Sequence, residues 1–222
     1  MVALAGEIVR LTEVPIVLDA DALQPSILAA AQGKRVICLP HAGEFNRLAT
    51  GLGGTGVSPV VLAASDTGRL PMSHGSGASL PRQPADAPEL SPAALRALAR
   101  ETGAVIVLKG SVTRISDGER IFHSFFGGPV LARGGSGDLL AGLTGGLLAQ
   151  APDDPLVAAC RGVVWHGLAA DLLARDRGQV AVRVTQLLDH LPAALRTAGS
   201  AGGPSAVSGI RASGPRSERP DR

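Results

Sequence analysis

The sequence predicts an α/β fold built on a mostly parallel central sheet with crossover helices. Short apolar runs of strand length alternate with helix-length segments from the start of the chain. Two of these runs break into turns rich in Asp, His and Glu. A glycine-rich loop, Gly134-Gly135-Ser136-Gly137-Asp138, then opens directly into an apolar helix.

Taken in order, Val14-Pro15-Ile16-Val17-Leu18 is the first buried strand, ending in Asp19-Ala20-Asp21-Ala22-Leu23, with a helix over residues 25–32. Residues 35–39 form a second strand that ends in Pro40-His41-Ala42-Gly43-Glu44, with a helix over 44–49. Residues 51–88 are rich in Gly, Ser, Pro and Ala and read as a low-complexity insertion. Ser91 caps and Pro92 opens a helix to about Thr102, and residues 104–108 are another buried strand. That strand turns at Lys109-Gly110-Ser111 into residues 112–115, and Asp117-Gly118 marks a hairpin into 120–125. Helices follow over 138–150, 156–175 and 184–195. The domain is therefore expected over residues 1–197. From Ala198 onward, Gly, Ser, Pro and Arg predict a disordered tail, 198–222.

Composition narrows the class. The 222 residues suffice for one sizeable core or at most two small domains, and with 2% aromatics and no Tyr that core is built from Ala, Leu, Val and Ile. The net charge is only +2, and Arg211, Arg216, Arg219 and Arg222 of the tail carry much of the basic excess, so no nucleic-acid groove is expected. Cys38 and Cys160 lie in apolar runs and read as buried reduced thiols. Glu7, Arg10 and Glu13 interrupt any signal-peptide pattern. The uncharged stretch over 139–152 falls short of the ~20 residues that span a bilayer. A soluble cytoplasmic protein without membrane attachment is the expectation.

The chemistry-bearing residues gather at turns. In the 134–138 loop the glycines let backbone N–H groups face a ligand, and the helix N-terminus adds partial positive charge. Asp138 in the first turn is placed to accept a proton from a hydroxyl attacking a phosphate. A plain glycine turn with an ordinary helix-start Asp fits these five residues as well. No Lys-Ser/Thr pair follows the glycines, so this is not a Walker A loop. Lys109, Gly110, Ser111, Val112 and Thr113 offer a cation, backbone donors and hydroxyls at a strand end, which suits a nucleotide phosphate or ribose but also a solvated turn. His41 lies at a strand's C-terminal end, where open α/β sheets bind ligands. Asp19 and Asp21 share that edge and suit either a metal–phosphate or substrate hydroxyl, or capping of the next helix. His166, beside Trp165, reads as packed core; His74, His123 and His190 have no metal-ligand company, and no protein-held metal site is expected.

In order, Leu18-Asp19-Ala20-Asp21-Ala22-Leu23, Pro40-His41-Ala42-Gly43-Glu44-Phe45, Leu108-Lys109-Gly110, Gly134-Gly135-Ser136-Gly137-Asp138 and His166-Gly167-Leu168-Ala169 resemble the ADP/ATP-dependent NAD(P)H-hydrate dehydratases of the ribokinase-like superfamily. The resemblance covers about residues 14–195. It implies a ribokinase-like α/β fold with helices on both faces of the sheet. It also implies dehydration of (6S)-NAD(P)H hydrate back to NAD(P)H, with ADP or ATP as co-substrate together with Mg2+. Carried over by position, it makes Asp138 the catalytic base in contact with the hydrated nicotinamide and His41 a second substrate contact. Gly137 and the turn Lys109, Gly110, Ser111, Val112 and Thr113 would hold the adenine nucleotide.

The chain departs from the family pattern at Phe126-Gly127-Gly128-Pro129-Val130, at Arg133 before the loop, and at Gln24. The family's N-terminal stretch, with its own glycine-rich loop and first strands, has no counterpart. An incomplete fold is therefore expected, with an unpaired sheet edge and an open apolar face. Two alternatives remain: a ribokinase-like kinase of a vitamin precursor or sugar, and a non-catalytic remnant. A homo-oligomer is compatible with each.

Overall fold

The computed structural model describes residues 2–52, 90–200 and 210–213. Six strands form one sheet in the order β1 (Ile16–Leu18), β2 (Val36–Cys38), β3 (Val105–Leu108), β4 (Thr113–Ser116), β5 (Ile121–Ser124) and β6 (Ile210–Ser213). The first three are parallel and the last three pairings are antiparallel. The sheet is thus mixed, and the expectation of a mostly parallel one holds only for β1–β3. The turns at 109–112 and 117–120 are too short for the crossover that parallel pairing needs.

Helices cover both faces, as the alternation of side chains along the strands requires. On one face Val36, Cys38, Ile106 and Leu108 pack against α1 (Val2–Leu11), α2 (Pro25–Ala30), α3 (Ala42–Gly51) and α4 (Pro92–Thr102). On the other, Ile37, Leu39, Val105 and Val107 meet α5 (Ser136–Gln150) and α6 (Pro155–Arg177). A third cluster joins α6 to the 3-10 turn Gly128–Leu131 and to α7 (Leu187–Ser200). By length and a mean hydropathy of 1.4, α6 could cross a membrane. Here it packs against α5, α7 and the sheet, with Ala158, Ala159, Ala169 and Ala170 all buried.

Local signals account for most boundaries. The Ser91 hydroxyl accepts from the Ala94 N–H at 3.1 Å and Pro92 opens α4, while Asp154 caps α6 through the Val157 N–H at 3.0 Å. Two elements differ from expectation. The stretch before Val14 forms α1, whose one buried residue is Val9. In the expected tail, α7 continues through Ser200 and residues 210–213 pair with β5. The proposed insertion falls almost wholly on residues 53–89, which, like 201–209 and 214–222, lie outside the described residues.

Strand β1 pairs only with β2 among the described residues, so the sheet ends there. Nearby, α5 lines an open groove of about 390 Å³, walled by Leu139, Leu143 and Leu147 of α5 with Trp165 and Leu188, and Asp138 stands at one end of it.

Candidate active site

Three adjacent parallel strands deliver their C-terminal ends to one edge. Asp19 follows β1, His41 lies just beyond β2, and Lys109 follows β3 with a single parallel bridge to His41. This is the edge at which open α/β sheets bind ligands. From the opposite face of the sheet, the N-terminus of α5 arrives at the same point.

Lys109 reaches across the end of β2 and donates from Nζ to Asp19 Oδ1 at 2.7 Å. Its Nζ stands 4.0 Å from Glu44 Oε2. Glu44 is only 6% exposed, yet both its oxygens have partners: Oε2 accepts from the His41 N–H at 2.7 Å and Oε1 lies 3.3 Å from His41 Nε2. His41 Nδ1 accepts from the N–H groups of Gly43 and Glu44 at 3.0 and 3.3 Å. With Nδ1 accepting, the proton of a neutral ring resides on Nε2, facing Glu44. His41 and Glu44 together form a capping box at the start of α3.

At the other side, Gly135 takes the left-handed region, φ 85°, and offers no side chain to cap α5. The N–H groups of Gly137 and Asp138 have no acceptor among the described residues. A Cβ on Gly137 would lie 3.4 Å from both Lys109 Nζ and Asp19 Oδ2, so the loop touches the Lys–Asp pair directly. Unpaired donors at a helix start beside an ammonium make an anion site. Asp138 is exposed at its rim.

Of the residues singled out in the sequence, Lys109, His41 and Gly137 therefore come together. Gly110 and Ser111 are exposed in the turn that follows, and Val112 and Thr113 are half-buried. Asp19 joins the site as the lysine's partner, while Asp21 is exposed in the 3-10 turn Ala20–Ala22. Glu44 was not singled out; Glu three residues after a helix cap was the available signal, disguised because His41 replaces the usual Ser or Thr. Among the described residues, no group of three His, Cys, Asp or Glu side chains is placed to hold a metal ion.

Behind the loop, His166 is 4% exposed, within reach of the Ser136 backbone, and its Nε2 has no partner among the described residues. Burial lowers its pKa from 6.5 to about 4. The folded protein keeps this ring neutral while the unfolded chain protonates it near 6.5. Stability on this account is complete above pH 6.5 and is lost as pH falls towards 4, by up to about 3 kcal/mol. A His166→Gln variant should lack this part of the pH dependence in denaturant titrations at pH 7 and 4.5. Burial likewise pushes the Cys38 and Cys160 thiols up to about 12, leaving both as neutral, unreactive groups.

A layered sheet with its ligand edge, its antiparallel extension and a glycine loop entering α5 defines the ribokinase-like fold. A ribokinase-like protein from Enterococcus faecalis aligns with a TM-score of 0.62 over 88% of this chain and 57% of its own, at 22% identity. The hydroxyethylthiazole kinase of Pyrococcus horikoshii aligns with a TM-score of 0.61 over 96% and 70%, at 21% identity, and shows the same fold.

Residues 84–193, just under half of the chain, match the family model for NAD(P)H-hydrate dehydratase, the family the chain resembles. It is 33% identical over 184 residues to an ADP-dependent (S)-NAD(P)H-hydrate dehydratase of Cenarchaeum symbiosum, covering 83% of this chain and 53% of that enzyme. The ADP/ATP-dependent NAD(P)H-hydrate dehydratase of Bacillus subtilis, co-crystallised with ATP/Mg2+, is 27% identical with a TM-score of 0.59, over 84% of this chain and 57% of its own. The chain thus spans about half the length of these dehydratases.

Proposed function

We propose that the site dehydrates the S form of hydrated NAD(P)H at the expense of ADP or ATP, restoring NAD(P)H. The single observation that carries this reading is the convergence of Lys109 with the unpaired N–H groups of Gly137 and Asp138 beside an exposed carboxylate. The names of the relatives supply the substrate.

In this reading the phosphates of the nucleotide lie against Gly137 and the turn formed by Lys109, Gly110, Ser111, Val112 and Thr113. Asp138 accepts the proton of the substrate hydroxyl as its oxygen attacks the terminal phosphorus, and AMP or ADP departs. The ring nitrogen's lone pair then expels inorganic phosphate, a proton leaves the neighbouring carbon, and the dihydronicotinamide is restored. His41, fixed by Glu44, contacts the hydrated dinucleotide. Asp19 and Glu44 are engaged with Lys109 and His41 and do not form a resident cage for Mg2+, which would enter with the nucleotide phosphates.

Incubating the protein with S-NADHX and ADP or ATP, and following NADH absorbance, tests the proposal. Regeneration that requires nucleotide is expected. Phosphorylation of a vitamin precursor or sugar without regeneration would instead make the protein a kinase on this fold.

A further inference from the structure

We propose that Asp19 is a positioning residue of the nucleotide site, holding the Lys109 ammonium over Gly137 so that it faces the same anion as the loop's N–H groups. The inference rests on the reading that Lys109 and Gly137 contact the nucleotide. It adds a residue to that site and a reason for its placement.

Three observations carry it. Lys109 starts at the end of β3, and its flexible stem crosses the end of β2 to meet Asp19 at the end of β1. A free lysine there would sample many rotamers, most of them away from α5. The alternative carboxylate, Glu44, is already held by His41 and stands 4.0 Å off, against 2.7 Å for Asp19. Second, Asp19 is itself fixed. Its Oδ1 accepts from the Ala20 N–H at 2.9 Å as well as from Lys109, and Ala20 takes the left-handed region at φ 51°. Ala20 is the one non-glycine residue among the described residues with positive φ, a strained conformation that persists only where its surroundings impose it. What this turn achieves is the aim of the Asp19 carboxylate. Third, the pair meets the loop: both Lys109 Nζ and Asp19 Oδ2 come within 3.4 Å of where a Gly137 Cβ would be. The side chains of Lys109 and Asp19 are 23% and 15% exposed, so the interaction is shielded from bulk water on most sides.

A carboxylate beside an anion site has two opposed effects. It anchors the lysine, and it offsets the lysine's charge. If anchoring dominates, removing Asp19 weakens anion binding; if charge offset dominates, removing it strengthens binding. The sign therefore decides.

The experiment is calorimetric titration of ADP into the wild-type chain, Asp19→Asn, Lys109→Ala and the double variant. Asn keeps the size of Asp and can still cap the turn; Asp19→Ser serves if the Asn variant folds poorly. Asp19→Asn should bind ADP about tenfold more weakly, a change of about 1.4 kcal/mol. In the Lys109→Ala background the same change should cost less than about twofold, because Asp19 acts through the lysine. Equal or tighter binding by Asp19→Asn overturns the inference, as does an equal loss in both backgrounds, which marks a purely structural role. If Lys109→Ala binds like wild type, or wild type does not bind, the nucleotide reading itself falls and takes the inference with it.

Discussion

Asp138→Asn is expected to reduce nucleotide-dependent regeneration of NADH by about 10³-fold, within the range that general bases contribute. The change is isosteric and the position is exposed, so the fold should persist; loss of a carboxylate from the first turn of α5 costs at most about 1 kcal/mol. Nucleotide affinity should change little, because in the proposed site the donors facing the phosphate are the Gly137 and Asp138 N–H groups and Lys109. Removing a negative charge there should tighten ADP binding if it alters it at all. Rapid-mixing kinetics with separate measurement of ADP affinity would distinguish lost chemistry from lost binding. A variant that turns over normally removes Asp138 from the reaction.

The largest effect on stability is expected at Gly167. A Cβ there would lie 2.5 Å from Phe126 Cβ and 3.0 and 3.1 Å from the Phe126 carbonyl carbon and oxygen. Two of those atoms are backbone, so relief requires moving the segment that leads into the glycine loop. The next residue is also tied to α6: the Gly127 N–H donates to Asp171 Oδ1 at 3.1 Å. Gly167→Ala should therefore cost about 2–3 kcal/mol, a fall of roughly 4–12 °C in Tm, with weaker ADP binding as the loop shifts. Gly142→Ala is the contrast. Apart from the backbone of α5 itself, no atom lies within 4 Å of its Cβ position, and Ala there should stabilise by about 0.5–1 kcal/mol. Thermal unfolding of the two variants side by side checks both signs.

The sequence made legible those features that are local. β1, β2 and β3 announced themselves as apolar runs, α4 by Ser91 and Pro92, and the β4–β5 hairpin by Asp117-Gly118. The loop of the candidate site was likewise visible as glycines running straight into an apolar helix; a plain turn fits those five residues as well, and only the ordered neighbouring motifs singled it out. What escaped depends on tertiary partners. α1 has Glu7 and Arg10 on its surface and one buried residue, Val9, so its apolar stripe is weak until α2 provides a surface. Strand β6 has a composition that reads as coil and becomes a strand only because β5 offers an open edge.

The same distinction runs through the site. His41 and Lys109 were individually visible, but the partner of Lys109 was not: Asp19 is 90 positions away, and their meeting depends on the strand order β1-β2-β3. Glu44 was hidden by a histidine in the capping position. Motifs thus pointed to the edge, while the sheet order specified which side chains would meet across it.

The central claim is that the adenine nucleotide lies with its phosphates between Lys109 and the start of α5. A structure of the chain with bound ADP tests it most directly. The account predicts a phosphate oxygen within hydrogen-bond distance of the Gly137 N–H and of Lys109 Nζ, with Asp138 beside the terminal phosphate. ADP bound elsewhere, such as the leucine-lined groove along α5, with the Lys109–Gly137 site left to solvent, would contradict it.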